Sequence, residues 1–72
     1  MDIEIRYTAH AERRLRERFI SKQDVETGIA NEAWEDSGGG RKKIVHRINS
    51  KEITVIFEHK DDKVRVITVH WT

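Results

Sequence analysis

Two apolar runs near the C-terminus, Ile53-Thr54-Val55-Ile56-Phe57 and Val66-Ile67-Thr68-Val69, constrain this chain more than anything else in it. Runs this nearly continuous read as central strands, covered on both faces or at least half-sheltered. Polar turns punctuate them. Lys43 to Asn49, a turn at Asn49-Ser50-Lys51, and Glu52 to His59 read as a hairpin. Lys60-Asp61-Asp62-Lys63 is the next turn, and Val64 to Trp71 the last strand. Such a meander has an apolar face, and the only other apolar material must come from the N-terminal half.

That half reads as two helices. Ile3 and Ile5 alternate with Glu4 and Arg6, which predicts a short opening strand. Thr8 then caps a first helix running to about Arg18. At roughly 100° per residue, His10, Arg14 and Arg18 form one row, and Ala11, Leu15 and Phe19 an apolar row beside it. Arg13 and Arg16 fall on the other side of the helix. Ile20-Ser21-Lys22-Gln23-Asp24-Val25 is a restart signal, with Ser21 as N-cap, Asp24 near the helix N-terminus, and Ile20 and Val25 flanking the cap. Val25, Ile29 and Ala33 set the buried stripe of a second helix ending near Asn31 to Ala33. Gly28 weakens that helix or marks a close helix crossing. Gly38-Gly39-Gly40 reads as a flexible connector, since it lacks the spacing and the Lys-Ser or Lys-Thr of a phosphate-binding loop. The expected fold is α+β: one domain over residues 1–72, with two N-terminal helices packed on one face of an antiparallel meander.

Size and composition exclude several functions. A chain of 72 residues buries only about 60% of the surface its unfolded form exposes, so its stability is marginal. It has no cysteine, which removes disulfides, thiolate metal sites and thiol catalysis. No His pair or His-carboxylate cluster has ligand spacing, so neither a metal nor a cofactor is expected. No segment has the length or composition of a membrane span or signal peptide, and a cytoplasmic protein is the expectation.

Net charge is +1, but the charge is uneven along the chain. Arg6 to Lys22 holds six Lys or Arg against Glu12 and Glu17. Arg41 to Lys51 holds five basic residues, Arg41, Lys42, Lys43, Arg47 and Lys51, and no acid. Gln23 to Asp36, between them, carries five acids and no Lys or Arg. If the two basic segments share a face, the protein has a basic patch beside an acidic helix.

The pattern Thr8-x-His10-Ala11-x-x-Arg14-x-x-x-Arg18-x-Ile20-Ser21-x-x-Asp24-Val25 resembles the signature of a family of small bacterial domains of unknown function. Val66-Ile67-Thr68-Val69-His70-Trp71 is similar to that family's closing strand, so the resemblance spans nearly the whole chain. One departure is visible: such domains often carry Gly where Phe19 stands. The family's layout is in turn similar to bacterial ribonuclease toxins of the RelE and BrnT type, which lay two helices on an antiparallel sheet and cut RNA without a metal. The resemblance implies a RelE-like layout, RNA as the substrate class, and an acidic antitoxin-like protein segment as a partner. No toxin-specific motif matches residue for residue, so no toxin catalytic residue is carried over.

Metal-independent RNA cleavage needs a base for the ribose 2′-hydroxyl, an acid for the leaving oxygen, and cations for the phosphorane. Histidine, with a pKa of about 6.5, suits the first two roles, and the arginine fork suits the third. The candidate catalytic set is therefore His10 and His70 as acid and base, with Arg14 and Arg18 on the phosphate. Arg41, Lys42, Lys43 and Arg47 are the candidate nucleic-acid contacts. A structural reading stands beside this one: His10 caps or bonds a strand, and Arg14 and Arg18 pair with Glu32, Glu35 or Asp36 to tie helices to sheet. His46 shares a face with Ile44 and Ile48 and reads as a near-core imidazole, while His59 reads as exposed. Trp34 and Trp71 read as core or rim, with base stacking the alternative. Three function classes follow: a toxin-like endoribonuclease, an RNA-binding module without chemistry, and a protein-interaction domain.

Overall fold

Two capped helices and a curled sheet account for the computed structural model, which describes residues 3–72. The order is β1 (Glu4–Tyr7), α1 (Ala9–Arg18), α2 (Lys22–Asn31), β2 (Glu35–Gly38), β3 (Arg41–Ile48), β4 (Lys51–Lys60) and β5 (Lys63–Trp71). The five strands form one sheet in the order β1-β5-β4-β3-β2. β3 to β5 make the expected antiparallel meander, and β2, which was not expected, extends it. β1, however, joins β5 in parallel, from Glu4 opposite Lys63 to Tyr7 opposite Val66, so the sheet is mixed. β1 and β5 are separated by the two helices and the other three strands, so no local signal could reveal this pairing.

Both helix starts are where the sequence puts them. The Ala11 N–H donates to Thr8 Oγ1 and the Asp24 N–H to Ser21 Oγ, each at 3.0 Å. The Thr8 hydroxyl also donates to the Ile67 carbonyl at 3.1 Å, so the cap fastens α1 to β5. α1 stops where Phe19 turns left-handed (φ 56°) and the Ile20 N–H reaches back to the Leu15 carbonyl at 3.0 Å. That turn swings Phe19 out of the apolar row: Ala11 and Leu15 are buried, but Phe19 is 91% exposed. α2 buries Val25, Gly28 and Ile29 and ends at Asn31, which leaves Ala33 exposed beyond it.

The core lies between the helices and one sheet face. Phe57, Ile53 and Val55 of β4, Ile44 of β3, and Val64, Val66 and Val69 of β5 are essentially solvent-free there. β4 alternates strictly, so its apolar run is covered on one face only. β5 does not alternate, because a bulge opposite Ile56 and Phe57 makes Ile67 an extra residue. Val66 and Val69 therefore both point inward although they are three apart, and Thr68 and His70 fall on the open face. Gly28 marks a helix lying on a strand, not a helix crossing: a Cβ there would come within 2.9 Å of His46 Cβ and Ile44 Cδ1.

The three-glycine segment is a tight turn, not a loose connector. Gly38, Gly39 and Gly40 have φ of 85°, 63° and 77°, and Gly38 pairs with Arg41. Positive φ at both central residues is what a two-residue hairpin turn needs. The hairpin creates β2, a wholly exposed strand with no apolar alternation to announce it.

Candidate functional site

The His10-Arg14-Arg18 row runs along the part of β5 that β1 leaves unpaired. β1 ends at Tyr7 opposite Val66, and beyond it α1 side chains meet β5 instead. Thr8 takes the Ile67 carbonyl, and the Arg18 Nη1 donates to the Val69 carbonyl at 3.0 Å. In return, the Trp71 indole N–H donates to the Arg18 carbonyl at 3.0 Å. Helix side chains thus satisfy strand carbonyls that would otherwise lack partners.

His10 also reaches β5, but through a strand side chain. It is exposed, and its Nε2 lies 3.3 Å from Thr68 Oγ1. Register places Thr68 beside Ile56 and His70 beside Thr54, on the face away from the core. Thr68 and His70 are two residues apart on one strand face, so the hydroxyl that His10 reaches neighbours the His70 side chain. Arg14 meets none of the carboxylates expected for it. Its Nη1 donates to Glu17 on the same helix at 2.9 Å, a partly exposed pair worth roughly 0.2–0.5 kcal/mol. Arg18 has no carboxylate within ion-pair distance among the described residues, and one N–H on a carbonyl leaves the rest of its fork free.

Most of the second basic segment turns away from α1. Arg41, Lys43 and Arg47 alternate with the core residue Ile44 and lie on the open side of β3, whereas α1 lies on the other layer. The four cations on β3 each face an acid: Arg41 and Glu58 at 3.8 Å, Lys42 and Asp36 at 2.5 Å, Lys43 and Glu35 at 3.9 Å, Arg47 and Glu52 at 3.9 Å. Glu35 and Asp36 belong to β2, so part of the acidic run pairs with the basic run across a hairpin. The Lys42 ammonium, hydrogen-bonded to it, holds the Asp36 carboxyl below its ordinary range.

The remaining polar residues have structural work. His46 is 15% exposed, and its Nδ1 sits 2.9 Å from Glu32 Oε2, a satisfied near-core imidazole. Trp34 packs edge-on against Phe57 and His59, each at 4.9 Å between ring centres, and its Nε1–H donates to the Ile29 carbonyl at 2.9 Å. The Tyr7 hydroxyl donates to Glu26 at 2.8 Å; partial burial, and next that carboxylate, push its pKa well above 10. Among the described residues, no three His, Cys, Asp or Glu side chains group as metal ligands. No helix among the described residues is long and apolar enough to cross a membrane. Sequence reasoning missed Thr68, because its role depends on the bulge, and misplaced Phe19, although a Phe where the resemblance expects Gly was a signal.

The class defined by this geometry is a small α+β domain, with two helices on a five-stranded mixed sheet and a polar row where α1 meets β5. A family model described as Domain of unknown function (DUF4258) matches residues 7–71, and the chain belongs to that family. No curated protein and no solved structure matches it.

Proposed function

We propose that this domain binds RNA along the α1–β5 seam and cleaves it there without a metal, as a toxin-like endoribonuclease. The observation that carries the reading is His10: an exposed imidazole 3.3 Å from the Thr68 hydroxyl, which stands two residues along β5 from a second imidazole. In the reaction one imidazole takes the ribose 2′-hydroxyl proton as the 2′-oxygen attacks phosphorus. The other gives a proton to the departing 5′-oxygen, leaving a 2′,3′-cyclic phosphate and a 5′-hydroxyl. Arg14 and the free donors of Arg18 stabilise the phosphorane charge. Arg41, Lys42, Lys43 and Arg47, each already facing a carboxylate, are not needed to hold the strand in this reading.

The test is end-labelled RNA incubated with the protein in EDTA and resolved on a denaturing gel, beside His10→Ala and His70→Ala. The reading expects discrete cuts that both variants lose while remaining folded. Binding that survives in both variants, with intact RNA in all three lanes, favours an RNA-binding module without chemistry. Absence of binding as well favours a protein-interaction domain, for which an acidic antitoxin-like segment is the proposed partner.

A further inference from the structure

Phe19 costs this small fold stability and returns none by burial. It takes a left-handed backbone (φ 56°) that glycine adopts freely, and it leaves its ring 91% exposed. The helix stop needs the turn but not the ring. One peptide bond away, the Arg18 carbonyl holds the Trp71 indole, which is itself 36% exposed. Two aromatic residues therefore share one corner of the molecule.

The charge at this corner is positive and unspent. Lys51 Nζ sits 5.6 Å from the Trp71 ring centre, and no carboxylate reaches Lys51 or Arg18 among the described residues. Beside Trp71 a cavity of about 360 Å³ opens between Ser50, Lys51 and Thr72, and the acidic side chain lining it, Glu52, faces Arg47 at 3.9 Å. Trp34 gives the contrast. Its cavity, of about 380 Å³, is rimmed by Asp61 and Asp62, the wrong charge for a polyanion.

We propose that Phe19 and Trp71, with Arg18 and Lys51, form a stacking platform for an unpaired stretch of RNA. This rests on the reading of the α1–β5 seam as an RNA site, and it names the substrate class. Bases in a duplex are stacked on one another and offer no free face, so only an unpaired strand can lie on exposed rings. Its phosphates meet the two cations, and because every base has a π-face the platform selects single strands over sequence. Arg18 lies eight residues beyond His10, about 12 Å along the helix, so the platform holds bases a few nucleotides from the scissile phosphate.

The test uses a fluorescent single-stranded 2′-O-methyl oligoribonucleotide, which cannot be cleaved, and its duplex. Binding is read by anisotropy, with thermal melting of each protein alongside. The single strand binds more tightly than the duplex. Phe19→Gly and Phe19→Leu each weaken it by about 5- to 100-fold, while Phe19→Tyr stays within about two-fold. Phe19→Gly also melts at a higher temperature, which a structural Phe19 would not allow. Unchanged affinity in Phe19→Gly overturns the platform, and so does wild-type affinity in Phe19→Leu, which marks a merely apolar contact. A wild-type dimer in sedimentation that Phe19→Gly renders monomeric makes the corner an interface between copies and also overturns it. If unmodified RNA is cut and the Phe19 variants bind and cut normally, the platform fails and the seam reading stands. If the wild type neither binds nor cuts, both fail.

Discussion

Along β3, four cations face four carboxylates from the neighbouring strands, whereas on α1 Arg13, Arg16 and Arg18 meet no acid among the described residues. In the sequence the two segments look alike, and the β3 segment looks the stronger, since it contains no acid at all. Folding reverses that order. The hairpin and cross-strand registers bring Glu35, Asp36, Glu52 and Glu58 to β3, while the acids of α1, Glu12 and Glu17, reach only Lys22 and Arg14. A basic run on a strand meets acids on its neighbouring strands; one on a helix flank does not.

The largest expected effect separates the two regions by chemistry. His10→Ala lowers the rate of metal-free RNA cleavage by about 10²- to 10⁴-fold, as measured from gel time courses. Lys43→Ala leaves that rate nearly unchanged, and equal losses in the two variants would erase the distinction. Next in size is a test of how β3 is held. Gly28→Ala is expected to destabilise by about 1–3 kcal/mol, because its Cβ would meet His46 and Ile44 at 2.9 Å. On an unpacked helix face the same change would stabilise by up to about 1 kcal/mol, so the sign of the melting shift reports whether α2 lies tight on β3.

A third prediction concerns the strand that leads into α1. Folding raises the Tyr7 pKa, so at high pH the unfolded chain loses this proton first. Its contribution is full below about pH 10, the ordinary tyrosine value, and is lost as pH rises above it. Tyr7→Phe flattens that alkaline fall in a pH series of urea melts; an unchanged slope assigns the fall to other groups. The smallest effect belongs to β3. Arg47→Ala shifts stability by no more than about 0.5 kcal/mol, since the exposed Arg47–Glu52 pair is wide at 3.9 Å.

Much of the fold was legible because its signals are local. Thr8 and Ser21 announce their helices by cap chemistry, and the three long strands begin and end within two residues of where turns and apolar runs put them. What was hidden depends on contacts between distant residues. β2 is exposed along its length, so no apolar pattern marks it, and only the backbone of Gly39-Gly40 folds it onto β3. The parallel β1–β5 pairing and the Ile67 bulge are properties of strand pairs, not of either strand. The site divides the same way. The i, i+4 spacing of His10, Arg14 and Arg18 could be read directly. Which cations meet acids, and that His10 reaches Thr68, depend on strand register and on how α1 docks on β5.

The most direct measurement is the salt dependence of binding to the uncleavable single strand, for the wild type, Arg18→Ala and the double variant Lys42→Ala/Lys43→Ala. Each variant is first checked by melting, because Arg18 also holds the Val69 carbonyl. If the free charge of α1 is what meets RNA, Arg18→Ala reduces the slope of log K against log salt by about 0.7 and the double variant leaves it unchanged. A slope that falls by about 1.4 in the double variant and is untouched by Arg18→Ala would place the contact on β3 and contradict the assignment.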